Sequence, residues 1–266
     1  MQKAENGEYI FNNATKLMGC VNALSKKVRG DGGITFDTDP TPMRRAIAFN
    51  TQIRVRRSRA EGAIYSEEVA KMFPQICQDR KRELKEQYDS AIANGENTEV
   101  LYSPDEIVNV ESRHIDGSMS SIQREELLDW LKEDACDPME CRILSNVRCL
   151  SEGVDVPAID AVLYLSGRSS KVDIIQSVGR VMRPYKKGEP DEKKYGYIII
   201  PVVLDDDYKP EDVLKEHDRF KNVWDILEAL RSFDDRLANE VEVAKLNRMR
   251  AKHIHVVDTG GTGLIV

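Results

Sequence analysis

Two hydrophobic periods run along this chain: short unbroken apolar runs, and longer stretches with apolar residues at three- and four-residue steps. The runs Ala46–Phe49, Ile107–Val110, Cys141–Asn146, Ala161–Leu165 and Tyr195–Val203 predict buried strands, since a strand covered on both faces needs no polar alternation. Helical patterns fall between them. Leu17, Val21, Leu24 and Val28 mark an amphipathic helix over residues 14–28, closed by Gly30-Asp31-Gly32-Gly33. It reads either as a linker from a preceding domain or as an N-terminal packing helix, and the polar dozen residues before it read as poorly anchored. The charged stretch Gln75–Ser103 predicts a helix ended by Asn94-Gly95 that elaborates the surface. Ser121–Lys132 predicts a helix capped by Ser120 or Ser121 and buried through Leu127, Leu128 and Leu131.

A further helix leads up to Arg183. On its wheel Ile174, Ile175, Val178, Val181 and Met182 share one face, while Gln176, Arg180 and Arg183 share the opposite one. From Asp205 to Lys252, Val213, Phe220, Val223, Trp224, Leu227, Leu230, Phe233 and Leu237 predict one long or two shorter helices. His253-x-His255 with Val256-Val257 reads as a strand edge, and the glycines that follow are no phosphate loop, having no lysine after them.

A formal charge of −7 over 266 residues argues against whole-surface attraction to nucleic acid but allows a local basic track. Arg44, Arg45, Arg54, Arg56, Arg57 and Arg59 offer one around the first strand, with a solvated basic face as the alternative. No apolar run approaches the roughly 20 residues of a membrane span, and the start lacks a signal-peptide core, so a cytoplasmic location and no membrane partner are expected. Five cysteines without a C-x-x-C pair read as reduced thiols, and no metal is expected. His114 reads as a metal ligand, a base or a hydrogen-bonded structural histidine.

Arginine suits polyphosphate because its planar donors match phosphate oxygens, and a helix offering a fork of guanidiniums can hold an anion. Gln176-x-x-Gly179-Arg180-x-x-Arg183 resembles the Q-x-x-G-R-x-x-R motif of superfamily-two helicases and translocases. Ser151-Glu152-Gly153-Val154-Asp155-Val156-Pro157 resembles the S-E-G-x-D-x-P motif that precedes it there. The resemblance implies an α/β fold: the RecA-like parallel sheet flanked by helices of a second helicase domain of the P-loop NTPase class, with a helical C-terminal extension. It implies that Arg183 is the arginine finger on a γ-phosphate, with Arg180 its companion. Gly153 and Asp155 would line the nucleotide, with Gln176 and Glu152 beside them. Asn50 and Thr51 after the first strand, the turn with His114 and Gly117, and Asn146 and Ser151 would lie on the nucleic-acid track.

No G-x-x-x-x-G-K-[ST] occurs, and no apolar strand ends in an Asp-Glu pair. ATP and Mg2+ are therefore expected to be held mainly by a first RecA-like domain of the same polypeptide, and the chain alone is expected not to hydrolyse ATP. The expected division is a linker or helix over 1–33, the RecA-like domain over 34–204, and a helical extension with a terminal strand over 205–266. The order of motifs is similar to that in bacterial predicted helicases and type ISP restriction-modification enzymes, which implies a motor on duplex DNA. A non-catalytic nucleic-acid or protein binding module on the same surface is the alternative.

Overall fold

A computed structural model describes residues 2–27, 39–50, 52–53, 65–96, 103–134, 136–147, 159–166, 171–185, 195–203, 220–231, 238–239, 255–257 and 263–265. Seven strands form one sheet: β1 (Arg45–Phe49), β2 (Asn109–Ile115), β3 (Glu140–Asn146), β4 (Ala161–Tyr164), β5 (Tyr197–Ile200), β6 (His255–Val257) and β7 (Gly263–Ile265). Their order is β2-β3-β1-β4-β5-β7-β6. The first five are parallel throughout, and β7 joins β5 antiparallel with β6 outside it. The helices are α1 (Gln2–Leu24), α2 (Ser66–Ala93), α3 (Ser121–Lys132), α4 (Lys171–Val181) and α5 (Lys221–Arg231).

Alternation along each strand divides the core in two. Ile47 and Phe49 of β1, Leu144, Val162, Tyr164, Ile198 and Ile200 face a cluster that includes side chains from α3, α4 and α5. Ala46, Ala48, Cys141, Ile143, Ala161, Leu163 and Ile199 face the other, with α1 and α2. Small side chains dominate that second face, which lets two helices lie close to the sheet. The chain order passes from β1 to one side and from β3 to β4 across it. The switch of direction therefore falls at β1, and open α/β sheets place ligands at the carboxyl ends of the strands at such a point.

Several local expectations meet the structure closely. Helix α3 spans the predicted residues, and Ser120 closes a capping box with Gln123 in which each side chain accepts from the other's backbone N–H. Helix α2 ends at Asn94, and Gly95 takes φ +68, the left-handed turn that closes a helix. The central strands fall where their apolar runs predicted.

Others are corrected. Helix α1 reaches back to Gln2, so the polar N-terminal dozen is helical, and Leu17, Cys20, Val21 and Leu24 are buried in the core. Helix α2 starts at Ser66, and Val69, Phe73, Ile76, Cys77 and Leu84 are buried, so it is a core element and not a surface elaboration. Pro74 lies inside it, where a proline usually marks a boundary. Strand β2 starts at Asn109, not Ile107; a turn over Pro104–Glu106 precedes it, and Arg113, His114 and Ile115 belong to the strand. In α4, Ser177 and Arg180 are buried with Ile174, Val178 and Val181, while Met182 is 50% exposed. The sheet covers one side of α4 and the α5 residues Val223, Trp224 and Leu227 join the same cluster, which rotates the buried arc away from the predicted one. Within the predicted helical tail, α5 is the part described; Val213, Phe233 and Leu237 lie outside the described residues. Among the described residues no helix is long and apolar enough to cross a membrane.

Candidate functional site

At the carboxyl ends of β1, β3 and β2 the chain leaves the sheet through polar residues. Asn50 follows β1, Asn146 ends β3, and His114 stands one residue before the end of β2. Backbone pairing places Phe49 beside Asn146, and His114 beside Ser145. The Asn50 backbone N–H donates to Asn146 O at 3.0 Å, and the carboxamide N–H groups of Asn50 and Asn146 both donate to Ala48 O, at 3.3 and 3.2 Å. Both asparagines are buried, at 7% and 0% exposure. Among the described residues, neither side-chain oxygen, Oδ1, has a hydrogen-bond partner. Buried acceptors without donors cost about 1–3 kcal/mol each, so this strand end carries unsatisfied polarity inside a well-paired sheet.

Helix α2 closes the site from above. The Ser66 hydroxyl lies 2.8 Å from His114 Nδ1 and 2.8 Å from the Ser145 hydroxyl, and Ser145 also donates to Ser66 O at 3.0 Å. Asn50 Nδ2 donates to Ser145 Oγ at 2.9 Å. On its other side His114 Nε2 meets Asp116 Oδ2 at 3.0 Å. Asp116 Oδ1 then accepts from the Ser118 backbone N–H at 2.6 Å and the Ser118 hydroxyl at 2.5 Å. Burial by itself would raise the Asp116 carboxyl, but the donors on Ser118 and His114 outweigh it and hold the group at about 2, so it stays ionised.

Within this bracket lies Gly117. It is exposed, its φ is not in the left-handed region, and a Cβ built on it would meet nothing within 4 Å. Neither packing nor backbone conformation within the protein calls for a glycine there, and the bare turn leaves room for a ligand's backbone to come close.

Glu67, from the first turn of α2, brings its carboxylate near His114 and Asp116, the ligand atoms of all three lying within 4.8 Å of one another. The sequence reading gave His114 no carboxylate partner; the fold supplies two, Asp116 two residues on and Glu67 across 47 residues. Both ring nitrogens of His114 already hold partners, which fits a hydrogen-bonded histidine bridging two elements.

The expected basic track is redistributed. Arg45 is buried at the amino end of β1, away from Asn50. Its Nε donates to Leu131 O at 2.9 Å, and its Nη2 to Lys132 O, Glu133 O and Asp134 Oδ1 at 3.1, 3.1 and 2.7 Å. It closes the C-terminus of α3, where unpaired carbonyls and the helix dipole favour a cation. Arg54, Arg56, Arg57 and Arg59 lie outside the described residues.

On α4, Gln176 is exposed and Arg180 only 9% exposed; the helix stops at Val181, short of the predicted end, and the exposed Arg183 lies two residues past it. Arg180 thus leaves the solvent-facing stripe that the wheel assigned to it. Gly196 makes the close approach at the end of this helix, since a Cβ there would stand 2.4 Å from Val181 Cγ1 and 2.5 Å from Val181 O. Just beyond Arg183, the Tyr185 ring lies 5.8 Å from the Arg45 guanidinium, so α4 ends toward the amino ends of the strands. Of the described residues, Arg183 thus lies toward the amino ends of the strands, whereas Asn50, His114 and Asn146 lie at the carboxyl ends. Thr51, Ser151, Glu152, Gly153 and Asp155 lie outside the described residues.

Reasoning from sequence missed Ser66, Ser145 and Asp116. Asp116 stands two residues from His114 and could have been found from that spacing; Ser66 joins His114 across 48 residues and leaves no local signal.

Residues 77–185 match the helicase conserved C-terminal domain. Over 129 residues the chain is 35% identical to the probable helicase A859L of African swine fever virus, in a tick isolate from Pretoriuskop, South Africa, and in the Badajoz 1971 strain. That stretch is 47% of this chain and 14% of the viral protein, so the chain spans a small part of its relatives' length. Among solved structures, the ATP-dependent Type ISP restriction-modification enzyme LlaBIII bound to DNA is 33% identical with a TM-score of 0.60, covering 89% of this chain and 13% of that one. With its parallel sheet flanked by helices, the chain carries a superfamily-two helicase C-terminal domain of RecA-like fold.

Proposed function

We propose that the chain is the second motor domain of an ATP-dependent DNA helicase or translocase, from a restriction-modification enzyme or a related DNA-processing enzyme. Helicases use ATP and Mg2+, and in this reading both are held mainly by a first RecA-like domain of the same polypeptide. Arg183 supplies the arginine finger and Arg180 stands behind it; Gln176, Glu152, Gly153 and Asp155 complete the nucleotide side. Asn50, Thr51, His114, Gly117, Asn146 and Ser151 belong to the nucleic-acid side, with duplex DNA as the partner. Phosphoryl transfer needs chiefly positioning and charge neutralisation from the protein, and a guanidinium delivered from a second domain is worth roughly a thousandfold or more in rate.

The observation that carries the reading is α4 itself. Inside the stretch that matches the helicase domain, this helix buries its apolar side under the sheet and α5 while Gln176 and Arg183 stay exposed. A guanidinium exposed two residues past the end of a helix anchored on two sides can reach a neighbouring domain's ligand. The DNA-bound, ATP-dependent neighbour among solved structures supports the same partner and cofactor.

The test is Arg183→Ala in the full-length enzyme. DNA-stimulated ATP turnover should fall by about a thousandfold while the thermal midpoint moves little, because Arg183 is exposed. Arg180→Ala should lose turnover and also some stability, because that side chain is buried. Unchanged turnover in Arg183→Ala would overturn the reading.

A further inference from the structure

We propose that Ser66 and Asp116 are positioning residues, holding the Gly117 turn for a nucleic-acid backbone through one hydrogen-bonded chain that runs Asn50–Ser145–Ser66–His114–Asp116. The proposal rests on the nucleic-acid reading of these strand ends.

The contacts from Asn50 to Asp116 can be satisfied in a single direction once the one Ser145 hydroxyl hydrogen turns from Ser66 O to Ser66 Oγ. Asn50 Nδ2 donates to Ser145 Oγ, Ser145 Oγ–H to Ser66 Oγ, Ser66 Oγ–H to His114 Nδ1, and His114 Nε2–H to Asp116 Oδ2. Every donor points toward Asp116, and the chain ends on an ionised carboxylate. Donors in series polarise one another, so an ionised end strengthens the links behind it. The other oxygen of that carboxylate takes both donors of Ser118 and thereby sets the turn. The position of Gly117 is thus fixed from β1, β3 and α2 together. Donors on both oxygens also screen a negative charge that would otherwise stand bare beside the proposed phosphates.

Asp116→Asn separates the hydrogen-bonded chain from the charge. An asparagine keeps an acceptor for Ser118 and can offer its amide N–H to His114 Nε2. His114 Nδ1–H then donates to Ser66 Oγ, Ser66 Oγ–H to Ser145 Oγ, and Ser145 Oγ–H to Ser66 O, the contact already present at 3.0 Å. Asn50 Nδ2 still donates to Ser145 Oγ, and every link from Ser145 to Asp116 survives with its direction reversed. Asp116→Ala removes the end of the chain outright.

The experiment is binding of this chain to a labelled DNA duplex by fluorescence anisotropy over a series of salt concentrations. Each variant is first checked as folded by circular dichroism. Ser66→Ala and Asp116→Ala should each weaken binding about tenfold and flatten the salt dependence by about one phosphate contact. The double variant should bind no more weakly than either single one, because both cut the same chain. Asp116→Asn should stay within about threefold of wild type. Ser118→Ala, at an exposed position that leaves folding alone, should weaken binding severalfold and serves if Ser66→Ala does not fold. Wild-type binding with Ser66→Ala and Ser118→Ala unchanged in affinity and salt slope overturns the inference and leaves the proposed function standing. So does an additive double variant, or Asp116→Asn as weak as Asp116→Ala, since either makes something other than the connected chain responsible. A wild-type chain with no salt-dependent binding overturns both.

Discussion

The two ends of the same parallel sheet differ in what their polar groups leave over. At the amino end, polar groups tie elements together. Arg45 holds the last carbonyls of α3, Asp160 Oδ2 accepts the backbone N–H groups of Arg44 and Arg45 at 2.8 and 3.0 Å, and Tyr197 N–H donates to Asp160 O at 2.8 Å. Lys26, at φ 56 just past α1, pairs with Asp39 at 2.6 Å, which also accepts from the Tyr197 hydroxyl at 2.8 Å. At the carboxyl end, Asn50 and Asn146 keep buried oxygens without donors among the described residues, and a glycine with no packing duty sits at an exposed turn. The first arrangement secures the fold. The second leaves polarity and room that the protein does not use on itself, which is the expected condition of a binding edge in an open α/β sheet.

Substitutions can break this contrast in a graded way. Arg45→Ala should have the largest effect, about 3 kcal/mol of lost stability, because it removes a buried cation from the end of α3 and its donors to the Leu131 and Lys132 carbonyls, Arg142 remaining on Glu133 O at 3.3 Å. Urea unfolding measures it, and DNA binding of the folded fraction should be unchanged. Gly196→Ala comes next, costing about 2 kcal/mol, because its Cβ would overlap Val181 Cγ1 and the carbonyl behind it. A thermal midpoint equal to wild type would show that α4 is held less tightly than described.

A smaller effect is expected in acid. The Asp116 carboxyl is held at about 2, below its ordinary 3.8, so its contribution to stability is complete above 3.8 and is lost as pH falls through about 2. Asp116→Asn should flatten that part of the stability profile, read from midpoints between pH 5 and pH 2. Smallest in stability is Gly117→Ala, expected within about 0.5 kcal/mol of wild type because the added methyl meets open space. Its affinity for duplex DNA should nevertheless fall severalfold. A loss of stability with intact binding would reverse the roles assigned to this turn.

How much of this was legible in the sequence differs by element, for physical reasons. Helix α3 could be read to the residue because its start is encoded locally, by Ser120 and Gln123 reaching each other's backbone. Strand β2 was misplaced because it is an edge strand: its burial alternates from Asn109 to Ile115, so it never forms the apolar run that marks β1 or β3. The first half of α2 was passed over although Val69, Phe73 and Ile76 carry helical spacing, since the reading began after Pro74. Arg180 was assigned to solvent because a wheel shows one helix and not its neighbours, and α5, which packs against α4, is encoded dozens of residues later. Of the site, Asn50, His114, Gly117 and Asn146 were reached through the resemblance of their motifs to those of helicases. Their bridge through Ser66 and Ser145 was not, because contacts across 48 and 79 residues have no local pattern.

The most direct measurement is hydrogen exchange of the chain with and without a DNA duplex, followed by mass spectrometry. Added protection is predicted over the turn at 116–120 and the first turn of α2 at Ser66, with no change at the end of α3, 131–134, or at Arg44–Arg45. Protection confined to the α3 end and Arg44–Arg45, with the Gly117 turn unaffected, would contradict the assignment of the carboxyl end as the nucleic-acid edge.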